Sequence, residues 1–255
     1  MFSLLFPYLT AGDEEYLIAE LAELGTSGIT EEAGGIRAFF EDPSDAQSLA
    51  RRFSEFAPEI RQEDLIDWEQ VSRDAWPAFP LGERFYLAPP WRNTEPIPPG
   101  RLRLEIFPGM ACGTGRHPAT QLCLQAIERC VRPGDSVLDV GSGSGILGRA
   151  ATLMGAGRVI GCDSDPQAIG IARENYPSVL FFTGSVDAVQ SCWADVIIAN
   201  IDSATIEQLG PELERIRKPQ STLILSGFRT GDIPAGFEAA STMQQGDWLC
   251  LMAAR

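Results

Sequence analysis

The sequence predicts an α/β chain in which a small α+β unit precedes a larger unit with an open, mostly parallel sheet. Three observations carry this. Residues 2–65 follow the order β-α-β-β-α-β, the ferredoxin-like split βαβ arrangement. Residues 136–163 read as an apolar strand, a glycine-rich turn, a helical run and a second strand ending in a carboxylate. The apolar runs 179–184 (VLFFTG), 194–200 (ADVIIAN) and 221–228 (STLILSGF) follow, with helical stretches between several of them, before a final strand at 248–255 (WLCLMAAR). The larger unit is expected to be a Rossmann-like sheet with an antiparallel C-terminal strand.

In the small unit, FSLLFPYL forms the first strand. Asp13 to Leu24 carries Leu17, Leu21 and Leu24 at helical spacing. SGITEE and IRAFFE flank Gly34-Gly35 as a hairpin. Ser44 is placed to cap a second helix running to Phe56, and a last strand lies near Glu59–Leu65. Trp68, Trp76, Phe79 and Trp91 then mark an aromatic connector, read as satellite core packing. Residues 89–100 hold five prolines without periodicity and read as a stiff linker. The expected division is therefore 1–88, a linker at 89–100, and 101–255. The last part opens with a short strand, a glycine-threonine turn (PGMACGTGRHPAT) and a helix from Pro118 to Cys130.

Composition excludes several function classes. No apolar run reaches membrane-spanning length, and no basic residue precedes Arg37, so neither a membrane span nor a signal peptide is expected. Six cysteines (112, 123, 130, 162, 192, 250) form no CxxC pair, as in a reducing, cytoplasmic setting. His117 is the only histidine, which removes a His-based metal cluster or a Ser–His–Asp triad elsewhere; no metal is expected. A net charge of −15 argues against a nucleic-acid footprint and fits a basic protein partner or solubility alone. Lys218 is the single lysine and is read as composition, not chemistry.

The chemistry concentrates in 136–163. Asp139 ends the first strand, Gly141, Gly143 and Gly145 follow at spacing two, and Asp163 ends the second strand 22 residues after Gly141. Glycines permit a tight turn and close approach of a ligand to the backbone, the helix N-terminus supplies free N–H groups, and the later carboxylate can bind both ribose hydroxyls. The dinucleotide fingerprint needs a third glycine where Ile146 stands, which weakens a nicotinamide oxidoreductase reading. GxGxG after an acidic residue is instead the form found in class I S-adenosyl-L-methionine (SAM) methyltransferases, whose cofactor has no pyrophosphate to cradle. Asn200 ends the strand 194–200 at the edge where Gly141 and Asp163 also lie, and can orient an acceptor or the cofactor.

Together these segments resemble the ribosomal protein L-11 methyltransferase family over nearly the whole chain. The resemblance rests on the small ferredoxin-like domain, the connector ending in Pro89-Pro90-Trp91, PGMACGTGRHPAT beside the family's PGxAFGTGxHPTT, and DVGSGSGIL, GCDSDPQAI, ANI and LSG. It implies SAM-dependent methylation of protein amino groups, with the N-terminal domain recognising the ribosomal protein. It carries over Thr120, Gly141, Asp163 and Asn200 as cofactor contacts, with Thr120 21 residues before Gly141 as the family pattern requires. Gly143, Gly145 and Thr114, in the turn read as a lid, complete the expected cofactor set. Asp202 is a candidate for holding the incoming ammonium or routing its proton, and equally a candidate helix cap.

The departures fall on the acceptor side. Cys112 stands at the family's phenylalanine, Ala119 at its threonine and Arg116 at a small residue, and Ile201-Asp202-Ser203 replaces Ile-Leu-Ala. The short connection between 221–228 and 248–255 leaves no room for the family's helix. Acceptors other than ribosomal protein L-11, protein or small molecule, and a SAM-binding protein without catalysis are the readings these departures keep open.

Overall fold

The computed structural model describes the chain except residues 8, 33–34, 43–44, 63–72, 75, 109–114, 238–240 and 255 and the side chains of Ala11, Glu15 and Glu32. The expectations placed on Ser44, Trp68, Cys112, Gly113 and Thr114 lie outside the described residues. The chain divides into two compact units, Met1–Asp74 and Ala75–Arg255.

In the first unit, β1 (Phe2–Pro7), β2 (Gly28–Glu32), β3 (Gly35–Phe40) and β4 (Glu59–Gln62) form an antiparallel sheet in the order β2-β3-β1-β4. Period-two alternation puts Phe2, Leu4 and Phe6 on one face, where they pack with Ile36 and Ala38 and with Leu17 and Leu21 of α1 (Ala11–Glu23). That helix starts two residues earlier than its apolar periodicity predicts. Thr10 and Asp13 close a capping box there, which satisfies two end amides. The second helix, α2 (Ala46–Arg52), is shorter than expected: a separate 3-10 turn takes Ser54–Phe56, and Ala57 follows in the left-handed region. This unit carries 17 acidic and 5 basic side chains, a net −12 of the chain's −15.

The second unit begins earlier than the proline-rich stretch suggests. β5 (Phe79–Leu81), β6 (Phe85–Ala88) and β7 (Leu102–Glu105) make a three-stranded sheet, with β6 and β7 parallel. Residues 89–100 are not a free spacer. Arg92 donates from Nε to the Trp76 carbonyl, and Arg103 donates to the carbonyls of Arg92 and Glu95. Glu128, on α3 (Pro118–Cys130), accepts the amides of Glu83, Arg84 and Phe85. These bonds join the connector to the larger unit, so the structural division falls at 74/75 and not within 89–100.

The main sheet has the order β10-β9-β8-β11-β12-β14-β13. Its strands are β8 (Ser136–Val140), β9 (Arg158–Asp163), β10 (Leu180–Thr183), β11 (Ala194–Asn200), β12 (Arg217–Arg229), β13 (Ser241–Gln245) and β14 (Trp248–Ala254). The first five are parallel, and β14 runs antiparallel to both its neighbours, as expected of the C-terminal strand. Alternate strand residues feed two cores. Val196, Ile198 and Ile224 join the side of α3, α4 (Ile146–Leu153) and α5 (Pro166–Asn175), while Ile197, Ala199 and Leu223 join the side of α6 (Ser203–Ile216). No helix appears among the described residues between β12 and β14, but the connection contains the edge strand β13, which its polar sequence STMQQ does not announce. Among the described residues, no helix is long and apolar enough to cross a membrane.

Candidate functional site

The carboxyl ends of β8, β9, β10 and β11 surround a cavity of about 600 Å3. Its glycine loop is held by the backbone. The amides of Gly141 and Ser142 both donate to the Cys162 carbonyl, which folds the loop against the end of β9. Gly141 and Gly145 have φ of +67° and +83°, where an L side chain is strained. A Cβ on Gly141 would strike the Ile201 side chain, and one on Gly145 would lie 2.7 Å from the Phe181 ring. Gly145 begins α4 from beneath and does not line the cavity; Gly141 and Gly143 do.

Asp163 stands opposite this loop. Its Oδ2 accepts from the Gly143 amide at 3.0 Å and its Oδ1 from the Asp165 amide at 3.0 Å. Each oxygen keeps a further lone pair. The carboxylate is thereby oriented at the tip of β9, as a group that receives two vicinal hydroxyls must be.

Asp139, at the end of β8, is fully buried. Its Oδ2 accepts from the Gly148 amide at 2.9 Å, which ties the strand to the first turn of α4, and its Oδ1 has no partner among the described residues. Burial raises its pKa to about 7 against the lowering effect of the Gly148 bond, and the charge of Asp163 adds to the rise. Burial likewise pushes the Cys162 thiol up to about 12, so it stays a thiol.

On the other side of the cavity, Asn200 Nδ2 donates to Thr120 Oγ1 at 3.3 Å. Thr120 is buried in the first turn of α3 and does not line the cavity; it holds the Asn200 amide that does. His117 is the N-cap of α3 through Nδ1, which accepts from the Ala119 amide, and its ring meets Trp248 edge-on at 4.4 Å. The arrangement makes it a capping residue. Asp202 reaches the rim of the cavity but is engaged at both oxygens, by the Thr205 amide and hydroxyl, as the N-cap of α6. These bonds hold its pKa below the usual carboxylate value.

The structure thus brings Gly141, Gly143, Asp163 and Asn200 to one cavity, with Thr120 behind them. Sequence reading did not identify Ser185, Gln208 and Leu209, which also line it. Ser185 follows β10, so the rule that ligands sit at strand carboxyl ends identifies its position; Gln208 and Leu209 lie on α6, with no local motif. Among the described residues, no arginine or lysine lines this cavity, while two carboxylates do. The two carboxylates suit a nucleoside carrying a sulfonium and an ammonium. The missing Cβ atoms, the oriented carboxylate and this charge balance fit SAM.

The family model for ribosomal protein L11 methyltransferase (PrmA) matches residues 10–255. A ribosomal protein L11 methyltransferase of Geobacter metallireducens is 34% identical over 239 residues, covering 88% of this chain and 77% of that protein. One from Burkholderia ambifaria is 36% identical over 208 residues, covering 77% and 68% respectively. The crystal structure of a ribosomal protein L11 methylase from Lactobacillus delbrueckii subsp. bulgaricus superposes with a TM-score of 0.61 at 27% identity, over 69% of this chain and 95% of that one. The chain belongs to the ribosomal protein L11 methyltransferase family.

Proposed function

We propose that this chain transfers methyl groups from SAM to amino groups of a ribosomal protein of the L11 type. The carrying observation is the cavity in which Gly141, Gly143, Asp163 and Asn200 converge with no basic side chain among the described residues. SAM, when bound, supplies an electrophilic methyl on a sulfonium that departs as a neutral thioether. Asp163 would hold the ribose, and the glycine loop would admit the nucleoside against the backbone. Asn200, oriented by Thr120, would place the acceptor nitrogen, which must arrive as a free base about 3 Å from the methyl and in line with the breaking bond. A lysine amine starts near pKa 10.4, so the site must also favour loss of its proton. The committed bonds of Asp202 support a capping role over proton handling.

Substrate recognition is assigned to the first unit. Its net charge of −12, against −3 for the remainder, suits a basic protein partner and discourages nucleic acid. A ribosomal acceptor places the enzyme in the cytoplasm. The test is transfer of tritiated methyl from SAM into purified ribosomal protein L11, followed by identification of the labelled amino acids. Labelled N-methyl-lysine or a labelled N-terminus is expected. SAM binding without any transfer would overturn the acceptor assignment.

A further inference from the structure

Among the described residues, Asp139 is the only carboxylate removed from solvent, and its surroundings are poorly built for a charge. The Gly148 amide donates to Oδ2, and Oδ1 has no donor. The Ser142 hydroxyl, three residues on in the glycine loop, is buried without a partner as well, so it does not supply the missing bond. About two or three amide donors would hold a buried carboxylate ionised; one does not offset the loss of water.

The neighbours of Asp139 add no positive charge. On β9, Gly161 is its register partner, and Cys162 and Asp163 follow. From α3 comes the Cys123 thiol, from α4 the Gly148 amide, and β11 places Ile198 beside it. Both thiols stay neutral: burial pushes Cys162 up to about 12, and the Cys250 thiol together with burial raises Cys123. The charge that reaches Asp139 is therefore that of Asp163, which is of the same sign and opposes ionisation.

The cofactor cavity begins one residue away. Val140 and Gly141 line it from the β8 side, and Asp163 lines it from β9. A cation held there offsets the repulsion that keeps the proton on Asp139. SAM carries such a cation in its sulfonium. S-adenosyl-L-homocysteine (SAH), left after the methyl departs, has a neutral thioether in its place.

We propose that Asp139 is a charge-sensing residue that loses its proton when SAM binds and regains one when the sulfonium becomes a thioether. The carboxyl O–H bond breaks on binding and its proton passes to the buffer; the buffer returns one after transfer. The ionised site thereby selects SAM over its product. The inference rests on SAM as the cofactor and holds whatever the acceptor.

The test is calorimetry of SAM and SAH with the full chain, from about pH 5 to 8, in buffers of different ionisation enthalpy. The free carboxyl is protonated below about pH 7, so SAM binding gains as pH rises toward that value and levels off above it. SAM affinity should rise by about fivefold or more, while SAH affinity changes by less than about twofold. Near pH 6, SAM should release about 0.3 proton or more per site and SAH almost none. In Asp139→Asn, which keeps an oxygen for the Gly148 amide, the preference for SAM over SAH should no longer vary with pH. His117, the only histidine, titrates in both proteins and cancels. SAM bound without proton release overturns the proposal, as does equal pH dependence for the two ligands or a dependence that survives in the variant. The proton count on the unaltered protein decides even if the variant does not fold. Absence of SAM binding at every pH would remove the cofactor along with the proposal, whereas binding without methyl transfer would leave it standing.

Discussion

The carboxyl edge of the main sheet is built by two different means. At β8 and β9 the surface is backbone: glycines in left-handed conformations, loop amides on the Cys162 carbonyl, and Asp163 gripped by two N–H groups. Around the start of α6 and the end of β12 it is side chains, with exposed carboxylates and a guanidinium on an aromatic ring. A cofactor never varies, so a surface of fixed backbone suits it. An acceptor differs from one methyltransferase to another, and side chains can change without disturbing the sheet. Ile201 belongs to both halves, with its side chain against Gly141 and its main chain against Gly227.

The largest expected effect comes from breaking that join. Gly227→Ala adds a Cβ against the Ile201 backbone at a φ of +99°, and should lower unfolding stability by about 3 kcal/mol or more. Denaturant titration measures this. The matched control is Gly170→Ala on the exposed face of α5, where no atom lies within 4 Å of the added methyl. There stability should rise by about 0.5–1 kcal/mol. Equal effects at the two glycines would remove the claim that Gly227 fixes the join.

A second contrast concerns pH. The carboxyl of Asp139 is held near pKa 7, above its usual value, so its burial is least costly when protonated. Stability from this group is therefore full below about pH 4 and is lost as pH rises to about 7. Asp195 and Asp202 shift the other way. For Asp195, burial is outweighed by the bond and charge of Lys218 and by the Ser136 amide. Their contribution is present above about pH 4 and fades only below it. Between pH 5 and 8 the Asp139 effect stands alone of the three. The unaltered protein should lose on the order of 2 kcal/mol over that range. Asp139→Asn should flatten the curve, as urea midpoints at each pH would record; an unchanged slope would mean the carboxyl is already ionised at pH 5.

Within the cofactor half, Asp163→Ala should weaken SAM binding by about 1.5 kcal/mol or more, over tenfold, because bonds to a charged acceptor are lost. Calorimetry reads this directly, and NAD run alongside should show no binding to either protein. Unchanged SAM affinity would remove Asp163 from the site.

The two halves also differ in how far sequence discloses them. Asp139, the three glycines and Asp163 are neighbours in the chain, and their spacing encodes a local βαβ geometry, so the cofactor half is readable directly. The pairing of Thr120 with Asn200 spans 80 residues and no local rule produces it; the resemblance brings each residue to the cofactor site but not to the other. The neighbouring hollow lined by Asp202, Phe228, Asp232 and Trp248 draws on four separate segments, each unremarkable alone. β13 escaped because an edge strand paired on one side needs no apolar alternation. The proline-rich stretch suggested a spacer because composition does not show where Arg92 and Arg103 will send their donors.

The smallest effect decides the role of Asp202, the residue at which the halves meet. Both of its oxygens serve Thr205, so Asp202→Ala should cost about 1 kcal/mol of stability, as loss of a helix cap does. Asparagine is itself a good N-cap, since its amide oxygen can take the Thr205 amide, so Asp202→Asn should restore most of that loss. The pair of variants separates cap from charge. If the carboxylate only starts α6, Asp202→Asn should leave kcat within about threefold of the unaltered protein. A carboxylate that routes the ammonium proton would behave in the opposite way. Asp202→Asn would then keep its stability and its KM, and kcat would fall by about a hundredfold, the range typical of a lost general base. Steady-state kinetics with SAM saturating, beside a denaturation curve for each variant, distinguishes the two; a collapse in kcat would move Asp202 from a helix cap into the reaction itself.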